Sequence, residues 1–239
     1  MSSKFKKFLV LFSLLLLPTI LYVMLTTGKH NFVSLPYLTY TDEKNETKQR
    51  EIPPFSFTNQ DGKTITNADY KGKIYVADFF FTTCPGICKI MTENMKRLQE
   101  EFVKQEDFAL LSHTVNPERD TVETLKRYAR DKGADTRNWN FVTGTKEDIY
   151  KIAESYFANA SPDSLAPGGF LHSEFFILID KEGKIRCREE DDGNIKAVYD
   201  GTSEVDMRKL KDDIKVLIAE YNLALKKNNN ASKKLNRGQ

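Results

Sequence analysis

Cysteine is scarce in this 239-residue chain, with Cys84, Cys88 and Cys187 the whole complement. A small secreted scaffold held by disulfides carries more of them, in even number, so this fold must rest on an apolar core. Acidic residues are missing from both ends. Residues 1–30 hold Lys4, Lys6, Lys7 and Lys29 and no acid, and residues 226–239 hold five Lys or Arg and again no acid. Setting those nine aside leaves 27 basic residues against 34 acidic ones, a body near −7. Such a body lacks the basic face that neutralises phosphates, which excludes nucleic-acid binding. Long apolar runs are absent after the first 28 residues and mean hydropathy is −0.51, which excludes a polytopic membrane protein. Disorder is excluded by what is present: 16 Phe, 10 Tyr and abundant Leu, Ile and Val can bury a real core.

The first segment sets the compartment. Residues 8–28 carry no charge, and about 20 apolar residues span a hydrocarbon core. Pro18 is tolerable in such a helix. The run is longer than the apolar stretch of a signal peptide. No Ala-x-Ala pattern follows it (Thr26, Thr27, Gly28, Lys29), and no cysteine near Leu25 offers lipoprotein processing. Residues 1–28 are therefore expected to be a Lys-rich cytoplasmic start and an uncleaved transmembrane helix, with the rest of the chain outside. A short Lys-only start, without the Arg/Ser-rich leader of a transit peptide, points to a bacterial inner membrane. In an oxidising compartment three thiols read as a working pair plus one left over.

Residues 29–51 are polar and read as a spacer, with 41–50 (TDEKNETKQR) flexible. Residues 52–225 form the domain, and 226–239 (KKNNNASKKLNRGQ) a disordered basic tail. Asp61-Gly62 predicts a hairpin turn, and 73–81 (KIYVADFFF) a strand buried in the middle of a sheet. Helices are expected from the cysteine pair to about Phe102, over 122–131, 148–157 and 204–225. Strands are expected over 107–115, 139–142, 173–180 and 184–188. This alternation predicts an α/β domain with a partly parallel, mixed sheet flanked by helices. The β-α-β then β-β-α order, with cysteines at the end of the first long strand, resembles thioredoxin.

Cys84-Pro85-Gly86-Ile87-Cys88 follows the apolar strand and opens a helix, with Pro85 suited to the first helical position. Cys84 is expected at the helix entrance and Cys88 one turn in. Cys88, Met91, Met95, Leu98 and Phe102 then form a 3-4-3-4 stripe facing the core. A helix N-terminus favours anions, so both thiols are expected to ionise easily. Two soft thiolates suit Cu(I), and His172, just before the strand at 173–180, is the candidate third ligand. Redox enzymes of this fold usually place a cis-proline there, whereas here the nearest proline is Pro167. On spacing alone a metal site, a redox pair and a structural disulfide all stay open. The remaining candidates have plainer readings. His113 is a strand residue, His30 lies at the membrane interface and Met91 packs in the core. Cys187 is a surface or hairpin thiol, open to pairing with another chain and given no role in the site. Arg186, Arg188, Glu189, Glu190, Asp191 and Asp192 form a solvated hairpin end or, alternatively, a docking surface for a basic partner.

Four segments occur in order: FFFTTCPGICKIM, SHTVNPERDTVETLKRYA, FLHSEFFILIDKEGKIR and YDGTSEVDMRKLKDDIKVL. Together they resemble the SCO/SenC family of membrane-anchored copper chaperones for cytochrome c oxidase, over roughly 52–221. The resemblance implies a thioredoxin-like fold and one copper bound by Cys84, Cys88 and His172. It also implies delivery to the dinuclear copper site of oxidase subunit II, with an upstream donor protein supplying the metal. The function implied is that of a metallochaperone rather than a turnover enzyme. Cys84 and Cys88 also form the redox disulfide of the alternative, a membrane-tethered thiol–disulfide oxidoreductase acting on that subunit or on other extracytoplasmic proteins. A peroxide-reducing enzyme of the same fold fits less well. Two departures stand out: Asn116-Pro117 where the family often has Asp-Pro, with Asp120 retained, and a longer, more acidic 185–198.

Overall fold

The computed structural model describes residues 5–7, 12–14, 16–20, 22, 34–158, 160–162, 170–172 and 174–235. The chain divides into two units, Met1–Val33 and Ser34–Gln239. Most of the expected anchor at 8–28 lies outside the described residues; among those described, no helix is long and apolar enough to cross a membrane.

The second unit contains β1 (Thr39–Thr41), β2 (Thr47–Gln49), β3 (Ser56–Asn59), β4 (Thr64–Thr66), α1 (Asn67–Tyr70) and β5 (Ile74–Phe80). Then come α2 (Cys88–Glu101), β6 (Phe108–Thr114), α3 (Val122–Lys132), β7 (Trp139–Thr143), α4 (Lys146–Ser155), β8 (Ala160–Pro162) and β9 (Phe170–His172). It closes with β10 (Phe175–Ile179), β11 (Ile185–Arg186), β12 (Arg188–Glu189), β13 (Ile195–Lys196), β14 (Tyr199–Asp200) and α5 (Glu204–Leu235). The main sheet runs β11-β10-β5-β6-β7-β3-β4, with β14 also pairing β10. β5, β6 and β7 are parallel, which requires the helical crossovers α2 and α3 between them. All seven residues of β5 and all seven of β6 are buried, as strands covered on both faces must be. The mixed α/β fold is thioredoxin-like.

Several expectations need correcting. The spacer expected to be flexible is the β1–β2 hairpin, whose turn is built by Asp42 accepting from the Lys44 and Glu46 N–H groups, both at 2.9 Å. It is tied down by Arg186, placed by the sequence in a solvated hairpin end but fully buried here. The Arg186 guanidinium donates to the Leu35 carbonyl (2.7 Å) and to Glu220 (2.8 Å), reaches Asp180 at 3.3 Å, and stacks over Tyr37. Charge alone misled: Asp180 and Glu220, distant in sequence, make burial of an arginine tolerable. Cys187, expected at the surface, is buried beside it, and burial pushes its thiol up to about 11. The neighbouring Arg188 and Glu190 pair with Asp213 (2.8 Å) and Lys209 (2.5 Å) of α5, so only Glu189, Asp191 and Asp192 form an exposed end. Helix α5 runs to Leu235, ten residues past the expected end, since no Gly or Pro interrupts it.

Candidate metal centre

The central strand ends at Phe80, and the chain then turns tightly: the Cys84 N–H donates to the Phe81 carbonyl at 3.2 Å. Asp120 fixes this turn. Its carboxylate accepts from the Thr82 N–H (3.1 Å), the Thr82 hydroxyl (2.5 Å) and the Thr114 hydroxyl (2.5 Å), and it is fully buried. One side chain therefore ties the approach to Cys84 to the end of β6. Helix α2 starts at Cys88, with Ile87 at its N-cap. Cys84 therefore sits in the turn before the helix and not at its entrance. Pro85 lies outside the first helical position, because the chain through Gly86 must first bend away from the strand.

Cys84 is half-buried and Cys88 is 2% exposed, and their side chains are hydrogen-bonded to each other. Burial raises the Cys88 thiol well above the ordinary cysteine range; the Cys84 contact adds to this and the Phe81 backbone opposes it. The expected easy ionisation is thus reversed at Cys88, where desolvation outweighs the helix N-terminus. Next to it on β5 lies Asp78, buried and accepting the Ser112 hydroxyl at 2.5 Å, while Trp139 donates to Ser112 at 2.9 Å. Burial pushes the Asp78 carboxyl up to about 7, against the Ser112 hydrogen bond. Tyr128 of α3 bonds Thr92 of α2 at 2.8 Å and closes this face.

His172 ends β9, opposite Ala160, and its side chain lies outside the described residues. Its place along the chain is informative nonetheless. β10 is antiparallel to β5 with Ile177 opposite Ala77, so the chain entering β10 starts at the end of β5 that leads to Cys84. Topology thus carries the chain that follows His172 to the thiol end of the sheet. Among the described residues no group of three His, Cys, Asp or Glu could hold a metal, as expected when the His172 side chain is not among them. His113 is paired with Phe79, one residue out of step with Asp78, and so points to the opposite face. It is no ligand for Cys84 or Cys88. Met91 is fully buried core, as expected, and His30 lies outside the described residues. Sequence reasoning missed Asp78, although it is the one acid in an otherwise apolar run, and missed the clamp made by Asp120.

The SCO1/SenC family model matches residues 43–205, well over half of the sequence. The chain belongs to the SCO1/SenC family. The SCO1 protein homolog of Bacillus subtilis is 34% identical over 137 residues, covering 56% of this chain and 71% of that protein. Among solved structures, a SCO1/SenC family lipoprotein from Bacillus anthracis is 34% identical with a TM-score of 0.61, covering 70% of this chain and 95% of that one. BsSco, described as a cytochrome c oxidase assembly protein of the Sco family with a disulfide switch, is 28% identical with a TM-score of 0.61, covering 77% and 98%. This SCO1/SenC member carries Asn116-Pro117 at the start of the loop that Asp120 closes: the Asn116 N–H donates to Thr114 Oγ1 at 3.0 Å, and its carbonyl accepts from the Asp120 N–H at 2.9 Å. Asparagine therefore serves that turn through its backbone, with no carboxylate required.

Proposed function

We propose that this SCO1/SenC protein is a membrane-anchored copper metallochaperone. It takes one copper from an upstream donor and delivers it to the dinuclear copper site of cytochrome c oxidase subunit II. Residues 8–28 are its anchor in a bacterial inner membrane, and the domain stands on the outer side. The observation that carries the reading is the Cys84–Cys88 pair, two sulfurs in mutual contact at the end of the central strand, one buried and one open to an incoming ligand set. Two such soft donors fit copper, and the neutral imidazole of His172 completes a trigonal set. The buried Cys88 thiol must lose its proton to bind, so copper uptake releases protons and strengthens as pH rises. The relatives described as oxidase assembly proteins support the same reading.

The test is copper stoichiometry of the full chain in detergent with its thiols reduced. One copper per chain is expected, and His172→Ala should lose it or shift its spectrum. Unchanged retention and spectrum would remove His172 from the site. Contact between the two sulfurs also favours a second reading, thiol–disulfide exchange on the cysteines of the same subunit. There His172→Ala should leave exchange intact while copper binding is lost. The two activities are linked, because oxidation of the pair to a disulfide removes both thiolates. Cys187→Ser should change neither.

A further inference from the structure

We infer that a cleft beside the thiol pair, walled by Arg119 and Arg127, receives the carboxylate of an acidic side chain that flanks the cysteines of the copper-accepting protein. The inference deepens the function proposed above and rests on it for the partner. The cleft encloses about 300 Å³, and Thr82 and Thr83, which lead into Cys84, form part of its wall. Tyr128 lines it as well and is hydrogen-bonded at 2.8 Å to Thr92, one turn beyond Cys88 on α2. A group seated here therefore stands between the turn that leads to Cys84 and the helix that carries Cys88.

Both arginines are exposed, and among the described residues neither has a carboxylate within salt-bridge distance. The acids around them are engaged elsewhere. Asp131, on the cleft wall, takes Arg130 at 3.2 Å, Glu118 faces Lys146 at 3.8 Å, and Glu123 accepts from Thr121 at 3.0 Å. Two guanidiniums without a carboxylate partner among the described residues thus share the cleft with Thr82 and Thr83, which lead into Cys84, in a body that is near −7 overall. A planar guanidinium presents paired donors that match a carboxylate, and a local field of opposite sign to the body steers an acidic group to this spot. An extended polyanion is disfavoured by the acidic body and by Asp131. Pro85 and Ile90, both exposed, give the turn and first helical turn around the thiols an apolar surface. The complementary partner surface therefore pairs an apolar contact with an acid beside its cysteines.

The experiment uses the full chain in detergent, reduced and metal-free. Two synthetic peptides each carry one cysteine activated as a 2-thiopyridyl disulfide, flanked by Glu in one and by Gln in the other. The protein dithiol becomes the Cys84–Cys88 disulfide while the peptide thiol and 2-thiopyridone are released, and 2-thiopyridone absorbance gives the rate. The Glu peptide should react about tenfold faster at low ionic strength, with the advantage falling toward unity near about 1 M salt. The double variant R119Q/R127Q should lose the preference, its two rates converging, and K104Q, at an exposed lysine just past the C-terminal end of α2, should keep it. Equal rates in the wild type would overturn the inference. So would a preference that survives R119Q/R127Q, one that is lost in K104Q, or a double variant that slows both peptides alike. No copper takes part, so failure of the copper reading would appear separately, as absence of bound metal in the reduced chain.

Discussion

Asp78 and His113 lie on neighbouring central strands, one register step apart, and both are sealed from water. Their surroundings differ by face. Asp78 has a hydroxyl partner in Ser112, and its face continues through Phe80 to Tyr128 and the thiol-bearing helix. His113 is stacked on Phe79 at 4.8 Å and edged by Phe57 and Tyr156, with the Asp78 backbone offering only a weak contact to ring nitrogens that otherwise lack partners among the described residues. Burial of a titratable group therefore does not mark a site. What marks it is burial on the face that opens, at its end, onto Cys84.

The sharpest way to break this comparison is one substitution on each face. Cys88→Ser removes a sulfur for which oxygen is a poor substitute toward copper, and bound copper should fall from one per chain to near zero. His113→Phe fills the same aromatic cage without polar atoms and should leave the stoichiometry at one. Metal analysis of the reduced proteins decides it, and loss of copper in His113→Phe would put the metal on the wrong face.

Next in size is Asp120, which holds the turn into Cys84 to the thiol end of β6 through three hydrogen bonds. Asp120→Ala leaves the Thr114 hydroxyl and the Thr82 amide without their acceptor in a buried setting. A loss of about 3 kcal/mol in urea unfolding is expected, and Asp120→Asn should recover part of it. A change below about 1 kcal/mol would show that the turn is held by something else.

Much of this contrast was readable in the sequence, though not the part that rests on burial. The run at 73–81 and the stripe Cys88, Met91, Met95, Leu98, Phe102 announced the central strand, the helix and the place of the thiols, because one buried strand and one buried helix face have distinct periods. Thr82, Thr114 and Asp120 are spread over 39 residues and meet only through the parallel pairing of β5 with β6, which no local pattern encodes. Arg186 was misplaced for the same reason, its partners being Leu35, Tyr37, Asp180 and Glu220. The polarity of 41–50 is that of a solvated two-stranded hairpin, which composition does not separate from a flexible spacer.

Acid titration sharpens the comparison further, since the two faces should respond to pH with opposite sign. Asp78 has its folded pKa raised, to about 7 from an unfolded 3.8. The folded state then keeps a proton that the unfolded state gives up, so this group lowers stability progressively from about pH 4 to about pH 7. Asp78→Asn should gain about 2 kcal/mol relative to wild type between pH 5 and pH 8. The check is unfolding of the reduced, metal-free chain at both pH values, and a pH-independent difference would mean that Asp78 is ionised in the fold.

The smallest expected effect belongs to the closed face. Burial pushes His113 down to about 3 from an unfolded 6.5, with the Asp78 backbone opposing it weakly. For a base held neutral, stability is fully present above pH 6.5 and is lost as pH falls toward 3, because only the unfolded state takes up the proton. Between pH 8 and pH 5 this amounts to about 2 kcal/mol, close to the Asp78 contribution and opposite in direction. His113→Phe should therefore match the pH dependence of wild type above about pH 7 and become progressively more stable than wild type below about pH 6. The aromatic cage accepts the new ring because Phe79 already stacks flat against the imidazole, at an interplanar angle of 15°. Urea unfolding of the two proteins at pH 5 and pH 8 measures the difference directly. If His113→Phe and wild type kept the same gap at both values, the imidazole would have to be reached by water in the fold, and the two faces would not differ in their access to solvent.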